Sequence, residues 1–150
     1  MSKLLKLTLC FFLISCGYKP IFVNENQKLF EFYKIDLSGD EKINSQIVNS
    51  LKIKKTNTNQ IKNQLFINSE YNIYETSKNS KGLVETYRSS VSVNFSIKEK
   101  DKIIKKKYFN QNFSYNNLGN RFELIEYQNI VKNNLISKII EDIILFMNIR

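Results

Sequence analysis

The sequence predicts a two-layer α+β sandwich, a four-stranded mixed sheet (β-α-β-β-β-α) with two helices on one face. Three patterns predict it. From Tyr87 onward, Val91, Val93, Phe95 and Ile97 alternate with Arg88, Ser90, Ser92, Asn94, Ser96 and Lys98, as a strand with one buried face requires. From Phe122, the residues Leu124, Tyr127, Val131, Leu135, Ile139, Ile143 and Phe146 recur at spacings of three and four, and Ile136, Ile140, Ile144 and Met147 widen that stripe. Glu126, Asn129, Asn133, Ser137 and Glu141 form the opposite, polar stripe of one long amphipathic helix. A shorter helical spacing joins Ile43, Ile47, Val48 and Leu51.

In chain order, residues 29–36 are aromatic and β-branched and read as a first strand. Ser38, with Glu41 three residues on, is a capping box, in which each side chain satisfies the other residue's orphan amide. The first helix is expected to end near Leu51 or Lys52, and residues 54–63 are polar enough for a loop. Residues 65–75 alternate Leu65, Ile67, Tyr71 and Ile73 against Asn68, Glu70 and Asn72, giving a second strand. A polar turn over 77–82 leads to the third strand, and a tight turn over 99–102 leads to a fourth at 103–115. Asn120 and Glu123 repeat the capping arrangement before the long helix. With a right-handed crossover through the first helix, strands one and two run parallel and the rest form an antiparallel meander.

The first fifteen residues belong to a different category. Lys3 and Lys6 precede an apolar run of about ten residues, too short for a bilayer span of about 20, and it has the anatomy of a secretory signal. The run ends in Leu13-Ile14-Ser15-Cys16, which resembles the bacterial lipobox. There the cysteine thiol takes diacylglycerol, the chain is cut before it, and the new amino group is acylated, with palmitate among the acyl groups. A single acyl chain gives only marginal membrane binding, whereas three on one residue anchor effectively permanently. Gly17 in place of Asp suits release to the outer membrane. The expected organisation is a signal peptide over 1–15, a lipidated tether over 16–28 containing Pro20, and one folded domain over 29–150.

The composition narrows the chemistry. Cys10 leaves with the signal and Cys16 carries lipid, so no disulfide is expected within the mature chain. The formal charge is +9, and +7 without Lys3 and Lys6. That excess favours anionic partners, lipid or glycolipid in this compartment and not nucleic acid. Heavy use of lysine, asparagine and isoleucine also fits AT-rich codons. With no histidine there is no base of near-neutral pKa, so no enzyme, cofactor or metal is expected. Glu141 and Asp142 point about 100° apart on a helix and read as a solvated face. Lys98, Lys100, Lys102, Lys105, Lys106 and Lys107 crowd one hairpin, either meeting anionic groups or protecting a sheet edge.

Cys16-Gly17-Tyr18-Lys19-Pro20-Ile21-Phe22 resembles the mature start of the lipopolysaccharide-assembly lipoprotein family LptE. Ser114-Tyr115-Asn116, Phe122-Glu123-Leu124, Tyr127 and the helix through Ile143 and Ile144 are similar too, as is the strand from Tyr87-Arg88 to Phe95. The resemblance implies the same α+β fold and a non-enzymatic part of the outer-membrane lipopolysaccharide translocon. Such a protein plugs an LptD-like β-barrel, assists its assembly and binds lipopolysaccharide. It also implies an anion site in two loops at one end of the sheet, where this chain has Lys78, Lys81 and Arg121. Ser90, Ser92, Asn94 and Ser96 occupy the face that two helices leave uncovered. Small uncharged side chains there suit close approach to a polar barrel wall, or they simply fill exposed positions in an AT-biased gene. The alternative functions are a periplasmic lipid-binding lipoprotein and a structural envelope lipoprotein, each without a barrel partner.

Overall fold

The computed structural model describes residues 30–58 and 61–148. The signal segment, Cys16, the tether and Leu29 lie outside the described residues, as do residues 149–150 at the other end of the expected domain. The elements are β1 (Glu31–Phe32), β2 (Lys34–Gly39), α1 (Glu41–Ser50), β3 (Lys54–Lys55), β4 (Asn63–Lys78), β5 (Val84–Glu99), β6 (Lys102–Asn116) and α2 (Arg121–Asn148). The main sheet has the order β2-β4-β5-β6, with β2 parallel to β4 and the other pairs antiparallel. This is the expected mixed sheet and α+β sandwich. None of the described helices is long and apolar enough to cross a membrane.

One core lies between the sheet and both helices. Leu65 and Ile67 of β4 stand beside Ile97 and Phe95 of β5, and Val93 stands beside Phe109 of β6. Onto them close Ile43 and Ile47 from α1, and Val131, Leu135, Ile136, Ile139 and Ile143 from α2. Each such side chain contributes roughly 1.5–3 kcal/mol when fully buried. Phe146 seals one end edge-on to Phe95 and Phe109, with ring centroids 6.3 and 5.9 Å apart. The polar stripe Glu126, Asn129, Asn133, Ser137 and Glu141 is exposed, so the phase expected for α2 is the phase observed. Phe122 departs from it. This residue, in the first turn beyond the sheet's end, is 83% exposed.

The expected first strand is two strands. The chain breaks at Tyr33, whose N–H donates to the Asn63 carbonyl at 2.8 Å. β1 then pairs in parallel with β3, inside the segment expected to be a loop, while β2 joins the main sheet. Lys54 N–H to Phe30 O and Thr56 N–H to Phe32 O, each 2.9 Å, pair the two strands, and the buried Phe32 and Ile53 side chains join them to the core. The long strands also outrun their apolar patterns. β4 continues past Glu75 through a bulge to Lys78, where Thr76 and Ser77 hydroxyls each lie 2.7 Å from the Thr86 hydroxyl.

The capping box moves by two residues. Asp40, not Ser38, is the N-cap of α1, and its Oδ1 accepts from Ile43 N–H at 3.0 Å. Ser38 remains in β2, in register with Asn68. The cause is Gly39, which carries the strand on with φ +84°, so close to β4 that a Cβ would sit 1.9 Å from the Ser69 carbonyl oxygen. Only glycine takes that position without strain. At α2, Asn120 caps as expected. Its Oδ1 accepts from Phe122 N–H at 2.9 Å, and its Nδ2 donates to the Glu123 side chain at 3.2 Å.

Candidate functional site

Alternation along β4, β5 and β6 sends one residue set to the helices and the other to an uncovered sheet face. Register places Asn68 opposite Asn94, Glu70 opposite Ser92, and Asn72 opposite Ser90. On the other side Ser92 meets Asn110 and Ser90 meets Asn112. Of the four sequence-selected residues, Asn94 is exposed and Ser90, Ser92 and Ser96 are half-buried among their neighbours. All four share this face. Sequence reasoning missed how far it spreads, since the asparagines of β4 and β6 extend the same short polar surface over three strands. Larger groups interrupt and fringe it, with Glu70 opposite Ser92 and the exposed Tyr108 opposite Asn94. Lys98 Nζ lies over the Phe66 ring at 4.5 Å, and Arg88 Nε donates to Ser114 Oγ at 3.2 Å. A shallow depression of ≈ 210 Å³ opens between Asp36, Ser38, Phe66, Asn68, Asn94 and Ser96.

At one end of the sheet, the β4–β5 turn meets the β6–α2 connection. Asn117 N–H donates to Glu85 O at 2.7 Å, and Asn117 Nδ2 donates to Val84 O at 2.8 Å. Asn79 shapes the turn, its Oδ1 accepting from Lys81 N–H and Leu83 N–H at 2.9 and 3.0 Å. Lys78, Lys81 and Arg121 therefore belong to one end of the fold, all exposed. They are not equivalent. Lys78 Nζ lies 3.0 Å from Glu75 Oε2, while Lys81 and Arg121 enter none of the ion pairs among the described residues.

At the opposite end the hairpin lysines divide by side of the sheet. Lys105 Nζ donates to the Phe146 and Met147 carbonyls at 3.3 Å each, satisfying orphan acceptors at the negative end of α2. Lys107 lies over the Phe109 and Phe146 rings at 4.9 and 5.6 Å. Lys106 points to the uncovered face, in register with Ser96.

The chemically perturbed groups serve the core. Burial raises the Asp40 pKa, but a hydrogen bond from Lys132 and backbone N–H groups of Ile43 and Lys42 outweigh it, leaving the carboxyl below its ordinary value. Burial raises the Tyr71 hydroxyl above its ordinary value. That hydroxyl lies 3.1 Å from Ser89 Oγ, which in turn lies 3.0 Å from the Tyr115 hydroxyl. Ser89 is fully buried, and its place two residues before Val91 was the available signal. Among the described residues no three histidine, cysteine or acidic side chains are grouped to hold a metal ion. The arrangement presents surfaces for contact.

No family model and no curated protein sequence matches the chain. Its fold is similar to that of solved bacterial lipoproteins. Rare lipoprotein B from Shewanella oneidensis is 13% identical, with 76% of this chain and 92% of that one covered and a TM-score of 0.56. An uncharacterized lipoprotein B from Nitrosomonas europaea is 10% identical, with coverage of 83% and 88% and a TM-score of 0.58. A minor lipoprotein from Acinetobacter baumannii is 16% identical, with coverage of 76% and 89% and a TM-score of 0.50. At these identities the likeness is one of fold.

Proposed function

We propose that this chain is an outer-membrane lipoprotein of lipopolysaccharide assembly, similar to LptE, that is anchored through Cys16 and plugs an LptD-like β-barrel. The observation that carries this reading is the uncovered sheet face. A solvated strand face ordinarily bears long charged side chains, whereas Ser90, Ser92, Asn94, Asn110 and Asn112 are short, uncharged hydrogen-bonding groups in adjacent register. Such a surface lets another polar wall approach closely, and barrel lumens are polar. The lipobox, the resemblance at Cys16–Phe22 and the fold shared with lipoproteins support the same reading. Lipopolysaccharide phosphates would be met at the end bearing Lys78, Lys81 and Arg121. A free lipid carrier would need an enclosed apolar cavity, whereas the ≈ 640 Å³ cleft between β1 and the β5–β6 hairpin is open with mixed walls.

The test is photo-crosslinking in cells from residues 92 and 94, with residues 133 and 137 on α2 as controls. Capture of a large β-barrel protein from the sheet positions alone is expected. Capture from α2 alone would reverse the orientation, and capture from neither would leave a lipoprotein without a barrel. Mass spectrometry of the mature N-terminus should show acylated Cys16. An unmodified Cys16 would remove the anchor.

A further inference from the structure

One end of the fold gathers lysines that are far apart in the chain. The pairing of Glu31 with Lys54 and Phe32 with Lys55 sets β3 beside β1. β1 shares the ≈ 640 Å³ cleft with the β5–β6 hairpin, its walls including Phe32, Lys62, Ile97 and Ile104. Lys54, Lys55, Lys62, Lys100, Lys102 and Lys106 are exposed. None takes part in the ion pairs found among the described residues. The acids in these same segments are only Glu31, Glu99 and Asp101, whereas at the other end Glu75, Glu85 and Glu123 match Lys78, Lys81 and Arg121. Codon bias would scatter lysine over both ends. Edge protection would explain β6 and β3, both edge strands, but not Lys62, which precedes β4.

Within this basic end stand two aliphatic residues, Ile103 and Ile104, 48% and 46% exposed. We infer that this end docks on an anionic phospholipid surface, its lysines on headgroup phosphates and Ile103 and Ile104 in the interface. Exposed aliphatic groups ringed by lysine suit a lipid interface, whereas single-stranded nucleic acid stacks its bases on aromatic rings. Chain connectivity agrees. Phe30, on the wall of the same cleft, lies fourteen residues after Cys16, a reach of at most about 50 Å. That last argument rests on the lipid-anchored reading, while the charge and exposure arguments do not.

The test uses the full chain reconstituted in vesicles of phosphatidylcholine, with and without phosphatidylglycerol, and amine-reactive labelling read by mass spectrometry. Labelling of Lys54, Lys55, Lys62, Lys100 and Lys102 should slow about fivefold in the anionic vesicles, a protection lost in high salt. Lys78 and Lys81 should label equally in both. Lys100→Glu/Lys102→Glu/Lys106→Glu should abolish the protection of Lys54, Lys55 and Lys62 while leaving the thermal melt unchanged. Equal labelling in the two lipids, or equal protection of Lys78 and Lys81, would overturn the inference. Flotation without protection defeats this surface and spares the anchor. Protection in Cys16→Ser without flotation in neutral vesicles keeps the surface and locates the anchor at Cys16.

Discussion

Lys132 Nζ lies 2.9 Å from Asp40 Oδ2, across ninety-two positions of chain. Asp40 simultaneously caps α1, and Lys132 sits over the Tyr71 ring of β4 at 4.7 Å. One ion pair thus ties both helices and the sheet together. Its Asp40 and Lys132 side chains are 25% and 17% exposed, so water screens it less than a surface pair and its desolvation cost is smaller than that of a fully buried one.

Asp40→Asn separates capping from charge, because asparagine caps as well as aspartate. The change is expected to cost about 1–2 kcal/mol at neutral pH, between exposed and buried pairs. The folded pKa of Asp40 lies below its ordinary 3.8, so its stabilisation is complete above that value and fades as pH falls through the folded pKa. Denaturant melts of the two proteins should therefore differ at pH 7 and at pH 5 by the same amount, and converge below pH 3.8. A gap that persists in acid would place the effect elsewhere than in the charge.

The elements most legible in the sequence are those whose pattern is produced by burial. Val91, Val93 and Phe95 had to alternate because one face of β5 meets helices, and Val131, Leu135 and Ile139 had to recur as a stripe for the same reason. The break at Tyr33 left a subtler mark. Phe30 and Phe32 set one phase of alternation while Ile35 and Leu37 set the other, so the phase changes where the strand divides. β3 left no mark, since Lys54 and Lys55 are held by backbone groups that any residue carries. Ser38 fitted the capping-box spacing, and the cap falls on Asp40 because of the close approach of Gly39 to Ser69, which is tertiary. For the candidate site, period two sufficed to group Ser90, Ser92, Asn94 and Ser96. The gathering of Lys54, Lys62 and Lys102 at one end needed the topology.

Gly39→Ala is expected to be among the most damaging single-methyl additions in the chain. The new Cβ would lie 1.9 Å from a β4 carbonyl oxygen, and the backbone is already at φ +84°. Strain of this kind costs about 1–3 kcal/mol before any displacement of β4. Gly82, at φ +78° with nothing within 4 Å of its would-be Cβ, isolates the conformational part. Gly82→Ala should cost about 1–2 kcal/mol. Thermal melts that rank the two equally would show that β2 can shift away from Ser69.

Leu135→Ala removes a side chain that is 4% exposed in the core between α2 and the sheet. The expected loss is about 2–5 kcal/mol, enough to lower the melting temperature clearly. Asn133, two positions earlier on the exposed stripe, should tolerate alanine with little change. Similar losses at the two positions would mean that α2 is rotated from the observed phase.

Under the proposed lipopolysaccharide-binding role, the cations near the β4–β5 turn are expected to contribute unequally to meeting the phosphates. Lys81 and Arg121 are exposed and outside the ion pairs of the described residues, so each offers its whole charge. Lys78 is 3.0 Å from Glu75, and the two together present no net charge to a ligand. Lys81→Gln/Arg121→Gln should weaken lipopolysaccharide binding by about three- to tenfold and flatten its salt dependence, as screened, exposed contacts do. Glu75→Gln/Lys78→Gln should leave both nearly unchanged, because it removes opposite charges together. Lys78→Gln alone should weaken binding, since it uncovers the Glu75 carboxylate beside the phosphates. Titration of fluorescent lipopolysaccharide at two salt concentrations measures all three. If the Glu75/Lys78 double change weakens binding as much as the Lys81/Arg121 change, Lys78 leaves Glu75 to hold the phosphate itself. If none of the three alters binding, the ligand is met elsewhere.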